Sequence, residues 1–254
     1  EGFTLQIGNG QEIANATGIM TINDFRSEDV SKGGQGAPLV PIGDRHLFAE
    51  FPICLNIGGI ANVSYEMNGR RIAYDICMAN QLLNYLANKL GYDYDNNGQF
   101  AKQGKVDKEL FDILNDNAYY KQDAPKSLGR EFFENVQHKI IDESSLSIND
   151  LLATATEHIA HQIVKSTDNL EKSKMLVTGG GAKNNFLIER ICSLSKHEIV
   201  IPDVMITDFK EALIFAFLGV LKMEGKINVL SSVTGASSDS SSGKTYQVEL
   251  KIEN

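Results

Sequence analysis

Residues 55–84 read LNIGGIANVSYEMNGRRIAYDICMANQLLN, and the fold class turns on this stretch. The apolar run Ile53-Cys54-Leu55 enters a Gly58-Gly59 pair, which predicts a strand closing in a tight turn. Ala61 to Tyr65 continue as a second strand. Asn68-Gly69 then signals a two-residue hairpin, because both central positions of a type I′ turn need positive φ. The return strand, Arg71 to Tyr74, is expected to end on Asp75. That would place the carboxylate at the carboxyl end of a strand, where open α/β sheets put their ligands. A helix follows from Asn80 to Leu90, with Leu82, Leu83, Leu86 and Leu90 on one face and Gly91 as its C′ residue. A glycine pair beside a carboxylate suits phosphate binding and base catalysis.

Downstream, Ser147-Ile148-Asn149-Asp150 resembles a capping box with Asp in place of Glu, opening a helix to about Lys165. Lys174 to Thr178 reads as a buried strand. It runs into Gly179-Gly180-Gly181-Ala182-Lys183-Asn184 and a helix from Asn185 to Leu194. A strand, a glycine turn and a helix N-terminus make a phosphate cradle, since free N–H groups and the helix dipole point outward there. The spacing is neither GxGxxG nor GxxxxGK[ST], so a plain turn stays open beside nucleotide binding. Glu198 to Ile201 is another strand. Asp208-Phe209-Lys210-Glu211 reads as an N-cap with Glu211 at N3, opening a helix that ends at Gly225.

Upstream, Phe3 to Ile7 reads as a strand, Gln11 to Thr17 as a short helix closed by Gly18, and Ile19 to Ile22 as a strand. Ser31 to Pro38 is a polar, glycine-rich loop flanked by Arg26 and Asp29: a surface connection or part of a polar site. Tyr92 to Gly104 reads as loop, its DYDNNGQ run as a solvated turn without the calcium-loop ligand pattern. A helix over Asp107 to Asn115 follows. Pro125 to Glu131 carries two cations beside a Ser and a Gly, fitting a surface helix start or anion and sugar recognition equally. Ser231 to Gly243 reads as flexible, and Thr245 to Ile252 as a strand. Helices alternating with strands, after an antiparallel hairpin, define an α/β class with a mixed sheet.

Composition excludes several partners. With 254 residues and a net charge of -9, nucleic acid is not expected. The longest apolar run, Ala212 to Leu221, is too short to span a bilayer, so no membrane partner is expected. Three dispersed cysteines, Cys54, Cys77 and Cys192, fit a reducing, cytoplasmic compartment and no zinc site. His158 and His161 lack an accompanying HExxH motif, and no residue is nominated as a metal ligand.

Several runs together resemble one family, 1,6-anhydro-N-acetylmuramic acid kinase, of the sugar kinase/Hsp70/actin superfamily. They are LQIGN (5–9), DFRSEDVSKGGQGAPLVP (24–41), LNIGGIANVS (55–64), the Asp75 to Asn80 segment, PKSLGRE (125–131), TGGGAKNNFL (178–187), KEALIFAFL (210–218) and VTGA (233–236). The resemblance implies ribonuclease H-like (actin-like ATPase) lobes around a cleft that binds ATP with Mg2+ and a small sugar. Residues 1–50 would be a remnant of the first lobe, 51–228 the second lobe, and 229–254 a tail returning to the first. Asn56, Gly58, Gly59 and Asn62 would belong to the phosphate-binding hairpin, and Gly179, Gly180, Gly181 and Asn184 to the nucleotide-binding turn. Asp75 would be the catalytic base, with Glu211, Arg26 and Asn80 contacting the sugar. The implied reaction opens the 1,6-anhydro bridge and phosphorylates O6, giving N-acetylmuramic acid 6-phosphate in cell-wall recycling. A homodimer stays open.

The family's first phosphate loop, of the type GxMSGTSxDG, and its SHGQT segment do not occur in these residues. The piece alone is therefore expected not to be a competent kinase. Where the family reads D-x-G-P-G-N, this chain has Asp75-Ile76-Cys77-Met78-Ala79-Asn80, so a different loop path is expected. A non-catalytic nucleotide-binding module and a kinase of another anhydro-sugar are the alternatives.

Overall fold

The computed structural model describes residues 7–249. Its strands are β1 (Thr21–Asn23), β2 (Ile53–Ile57), β3 (Ile60–Met67), β4 (Arg70–Met78), β5 (Lys174–Thr178), β6 (Glu198–Val200) and β7 (Lys244–Tyr246). The chain forms two compact units, residues 1–48, 67–72 and 211–254 in one, and 49–66 and 73–210 in the other.

The larger unit is built on a five-stranded sheet of order β4-β3-β2-β5-β6. β2 pairs antiparallel with β3 and parallel with β5, and β5 pairs parallel with β6. This is the α/β class with a mixed sheet that was expected. The hairpin turn behaves as its residues require, with Asn68 at φ 52° and Gly69 at φ 74°. β2 is buried on both faces, as a strand with neighbours on either side and helices above must be. The helix Ile148–Thr167 packs against Asn80–Asn88, Gln99–Gln103, Lys108–Asn115 and Asn185–Leu194. Its start is the expected cap: Ser147 Oγ accepts from Asp150 N at 3.2 Å and donates to Asp150 Oδ2 at 2.7 Å. Leu152, Ile159 and Ile163 are fully buried along it, each contributing about 1.5–3 kcal/mol of apolar burial.

Three expectations change here. β4 does not stop before Asp75 but runs on to Met78, because Ile76, Cys77 and Met78 are apolar, extended and buried. The Asp75 carboxylate therefore lies within an edge strand, three residues short of its carboxyl end. The DYDNNGQ run is exposed apart from Asp95 and Gly98, but it is more than a solvated turn. Asp95 is buried and accepts from Phe100 N at 2.9 Å and Ala101 N at 3.0 Å, capping a short helix over Gln99–Gln103. The helix expected from Asp208 begins earlier, spanning Val204–Met223. Its N-cap is Asp203, whose Oδ1 accepts from Ile206 N at 3.0 Å. Glu211 thus lies within the helix rather than at N3. His158 is held in a buried hydrogen-bond network with Tyr120 and Asn115.

In the smaller unit, Asn9 caps the helix Gly10–Thr17 and Gly18 closes it at φ 69°. β1 pairs antiparallel with β7, Thr21 opposite Tyr246. The polar loop after residue 31 is preceded by a helix, Ser27–Ser31, and followed by another, Pro41–Leu47. Buried Asp29 anchors it, accepting from Gly36 N at 2.8 Å and Thr234 Oγ1 at 2.6 Å. Gly34 packs where any Cβ would overlap the Asp29 carboxylate. The Ser-rich segment is ordered by pairing rather than flexible. Asn228, fully buried, donates to Leu218 O and Ser242 O and accepts from Ser242 N at 2.7 Å. Of the expected Phe3–Ile7 and Thr245–Ile252 strands, residues 1–6 and 250–252 lie outside the described residues. Among the described residues no helix is long and apolar enough to cross a membrane.

Candidate functional site

β2 and β5 are parallel neighbours, and each is followed by glycines, so the Gly58-Gly59 and Gly179-Gly180-Gly181 turns lie at one edge of the sheet. The register sets Asn62, Asn56 and Thr178 in one row across β3, β2 and β5 just beneath that edge. The two turns pack backbone to backbone. Gly179 has φ 85°, and a Cβ there would lie 2.6 Å from Asn56 Oδ1 and 2.8 Å from Ile57 O. A Cβ on Gly181 would overlap the Ile57 side chain. Gly180 and Gly59 are open by contrast, with hypothetical Cβ atoms 3.5 Å from Asn80 Nδ2 and 3.9 Å from Gln81 Cβ.

The helix Asn80–Asn88 is tied to the same edge. Ala79, Asn80 and Gln81 donate their N–H groups to Gly59 O, Gly58 O and Gly59 O at 2.8, 3.1 and 3.2 Å. The Asn80 side chain donates to Ile57 O at 3.2 Å. Ala79 keeps a negative φ of -124°, and no residue from Ile76 to Asn80 adopts the left-handed region. Cys77 and Met78 continue β4, and Ala79, at φ -124° and ψ -102°, turns the chain from the strand into the helix. Asn184 caps the following helix, its Oδ1 accepting from Leu187 N at 3.1 Å. Lys183 pairs with Asp208 at 2.6 Å, and Thr207 O accepts from Gly179 N at 3.3 Å, securing the glycine turn from the Val204–Met223 helix.

Asp75 is half-buried on β4. Its Oδ2 accepts from Leu128 N at 2.9 Å, its own N–H donates to Lys126 O at 3.3 Å, and its carbonyl accepts from the Tyr119 hydroxyl. Burial pushes the Asp75 carboxyl pKa up, and the Leu128 hydrogen bond opposes this by favouring the anion. Lys126 lies over the rings of Tyr74 and Tyr119, 5.3 and 4.8 Å from their centroids, and donates to Tyr119 O at 3.2 Å. Burial pushes its ammonium pKa down.

Asn56, Gly58, Gly59, Asn62, Asn80, Gly179, Gly180, Gly181 and Asn184 thus share one sheet edge, with Asp75 on the outer strand of that sheet. Arg26 and Glu211 belong to the smaller unit. Arg26 donates to Gly36 O and sits 5.8 Å from the Phe215 ring centroid. Glu211 is exposed on its helix. Tyr119 and Leu128 were not singled out by sequence reading. The PKSLGRE run was the one available signal, and it showed nothing of the contact with Asp75.

Parallel strands β2 and β5, each followed by a glycine turn, and a carboxylate on the outer strand β4 of the same sheet make the candidate site. Residues 1–248 match the family model described as anhydro-N-acetylmuramic acid kinase. The chain is 37% identical to the anhydro-N-acetylmuramic acid kinase of Actinobacillus pleuropneumoniae over 257 residues, covering 96% of this chain and 70% of that protein. It is 38% identical to the Vibrio cholerae protein of the same name, covering 96% and 69%. Among solved structures, it is similar to the activator of 2-hydroxyisocaproyl-CoA dehydratase from Clostridium difficile with bound ADPNP. That match has 19% identity and a TM-score of 0.42, over 65% of this chain and 57% of that one. The chain belongs to the anhydro-N-acetylmuramic acid kinase family.

Proposed function

We propose that this chain carries the catalytic base and nucleotide turns of a kinase that opens the 1,6-anhydro bridge of 1,6-anhydro-N-acetylmuramic acid and phosphorylates O6. The observation that carries the reading is Asp75, a half-buried carboxylate anchored through one oxygen in the unit that holds both glycine turns. Asp75 takes a proton from water as its oxygen attacks the anomeric carbon. The C1–O6 bond breaks, O6 bonds to the γ-phosphorus, and the β–γ phosphoanhydride bond breaks. Asp75 then returns its proton to solvent. ATP with Mg2+, when bound, supplies the phosphoryl group and charge neutralisation.

The residues present suit that group. A Cβ at Gly59 or Gly180 would make only ordinary contacts, so a ligand can approach the backbone there, and the first N–H groups of a helical turn such as Gly180–Lys183 have no partner within the turn. Among the described residues no three His, Cys, Asp or Glu side chains cluster as a metal site. Mg2+ carried on phosphates asks for only one or two carboxylates, so the donor set does not oppose it. Asn80, Arg26 and Glu211 are the proposed sugar contacts, and a cytoplasmic location belongs to the same reading.

The test is ATP-dependent formation of N-acetylmuramic acid 6-phosphate by this chain joined to a segment that carries the family's first phosphate loop and SHGQT run. Asp75→Asn should lower turnover by about 10^2–10^4-fold, the usual contribution of a positioned base. Turnover unchanged by Asp75→Asn overturns the mechanism.

A further inference from the structure

We propose that the segment from Tyr119 to Leu128 is the positioning element of Asp75, and that Asp75 Oδ1 is the oxygen that accepts the proton. The inference rests on the base reading above and adds which atoms hold the base.

Asp75 sits on β4, an outer strand of the sheet. A carboxylate there has no second strand alongside to restrict it, and rotation about its terminal bond is soft. The 119–128 segment supplies the missing side. Asp75 N donates to Lys126 O, and Leu128 N donates to Oδ2 at 2.9 Å, so the segment continues the ladder and then grips the side chain. The Tyr119 hydroxyl takes the Asp75 carbonyl. The two grips are joined to each other, since Lys126 donates to Tyr119 O and its ammonium covers the Tyr74 and Tyr119 rings. A cation over two aromatic faces, half withdrawn from water, holds its stem in place. Oδ2 is engaged by the Leu128 amide. The proton taken from water is therefore best received at Oδ1, whose orientation that amide fixes.

The amide also favours the anionic form of the base. Losing the bond removes the opposing influence and leaves burial, so the base would ionise only at higher pH. A merely structural loop would not move the pH profile. Tyr119 and Lys126 touch no reacting atom in this account. They act through Asp75 and are positioning residues.

The test uses this chain, joined to a segment that carries the family's first phosphate loop and SHGQT run, with 1,6-anhydro-N-acetylmuramic acid and ATP, measuring kcat and KM from acid to neutral pH. Tyr119→Phe keeps the ring and removes the hydroxyl. Lys126→Met keeps the stem and removes the charge. Leu128→Pro removes the amide donor. Each should lower kcat by about 10- to 100-fold, the cost of a misplaced reacting group, while KM for both substrates changes less than twofold. Leu128→Pro should also move the acid limb of kcat to higher pH. If Leu128→Pro fails to fold, judged by circular dichroism, Tyr119→Phe and Lys126→Met decide the question. Wild-type kcat and acid limb in these variants, with Asp75→Asn inactive, overturns the positioning element and leaves the base. Full activity in Asp75→Asn overturns the base itself.

Discussion

At the scale of single residues, His158 shows how a buried polar group is made tolerable. Asn115 Oδ1 can only accept, and it already accepts from Gln162 Nε2 at 2.6 Å, so His158 Nδ1, at 2.9 Å from it, carries a proton. Nε2 is then the acceptor for the Tyr120 hydroxyl at 3.3 Å, and Gln137 donates to that hydroxyl in turn. The neutral ring fits and the imidazolium does not, so burial pushes the pKa from 6.5 down to about 3. A lowered folded-state pKa makes the unfolded chain the better proton binder between those values. Its stabilisation is complete above pH 6.5 and fades as pH falls toward 3. Going from pH 7.5 to 5 should cost about 2 kcal/mol through this residue alone. His158→Gln, destabilised at pH 7.5, should lose less on acidification. Urea unfolding at the two pH values checks this, and an unchanged difference in the variant removes His158 as the cause.

Elements decide what each glycine is for. Gly180 and Gly181 are adjacent and indistinguishable in sequence, yet a Cβ on the first would make only an ordinary contact with Asn80 and on the second would overlap the Ile57 side chain. Gly181→Ala should overpack the contact between the turn and β2, costing about 1–3 kcal/mol in a thermal melt. Gly180→Ala should leave the melt nearly unchanged and weaken nucleotide binding, because its methyl enters the proposed phosphate space. Equal melts for the two variants would contradict this packing. Glycine signals and capping boxes were readable because they answer to local backbone geometry. The end of β4 was not. Asp75 looks like a terminator, but the apolar residues after it are buried and keep the strand extended. Ser231–Gly243 misled for the opposite reason: its polarity suggested solvent, whereas partners such as Asn228 satisfy it internally.

At the scale of the molecule, the hairpin of β3 and β4 has its tip, residues 67–72, in the smaller unit and the rest in the larger. Within the smaller unit Arg71 lies 3.7 Å from Asp44, both almost fully buried. Arg71→Met would leave the Asp44 carboxylate buried without this counter-charge, at a cost of about 3–5 kcal/mol. Calorimetry should show a clearly lower unfolding temperature, and a wild-type melt would rule out a structural role for the pair.

The sequence by itself determined the α/β class, the hairpin, both glycine turns and the family, because each rests on short-range pattern or ordered motifs. Only the tertiary structure decided what grips Asp75. The Leu128 amide lies 53 residues away and the Tyr119 hydroxyl 44. A backbone N–H is common to every residue but proline, so the side chain at position 128 carries no sign of the bond its amide makes. Tertiary packing likewise separated Gly180 from Gly181 and moved Asp75 from the end of a strand to its interior. Those distinctions depend on which atoms lie across the sheet edge, and chain order does not contain that information.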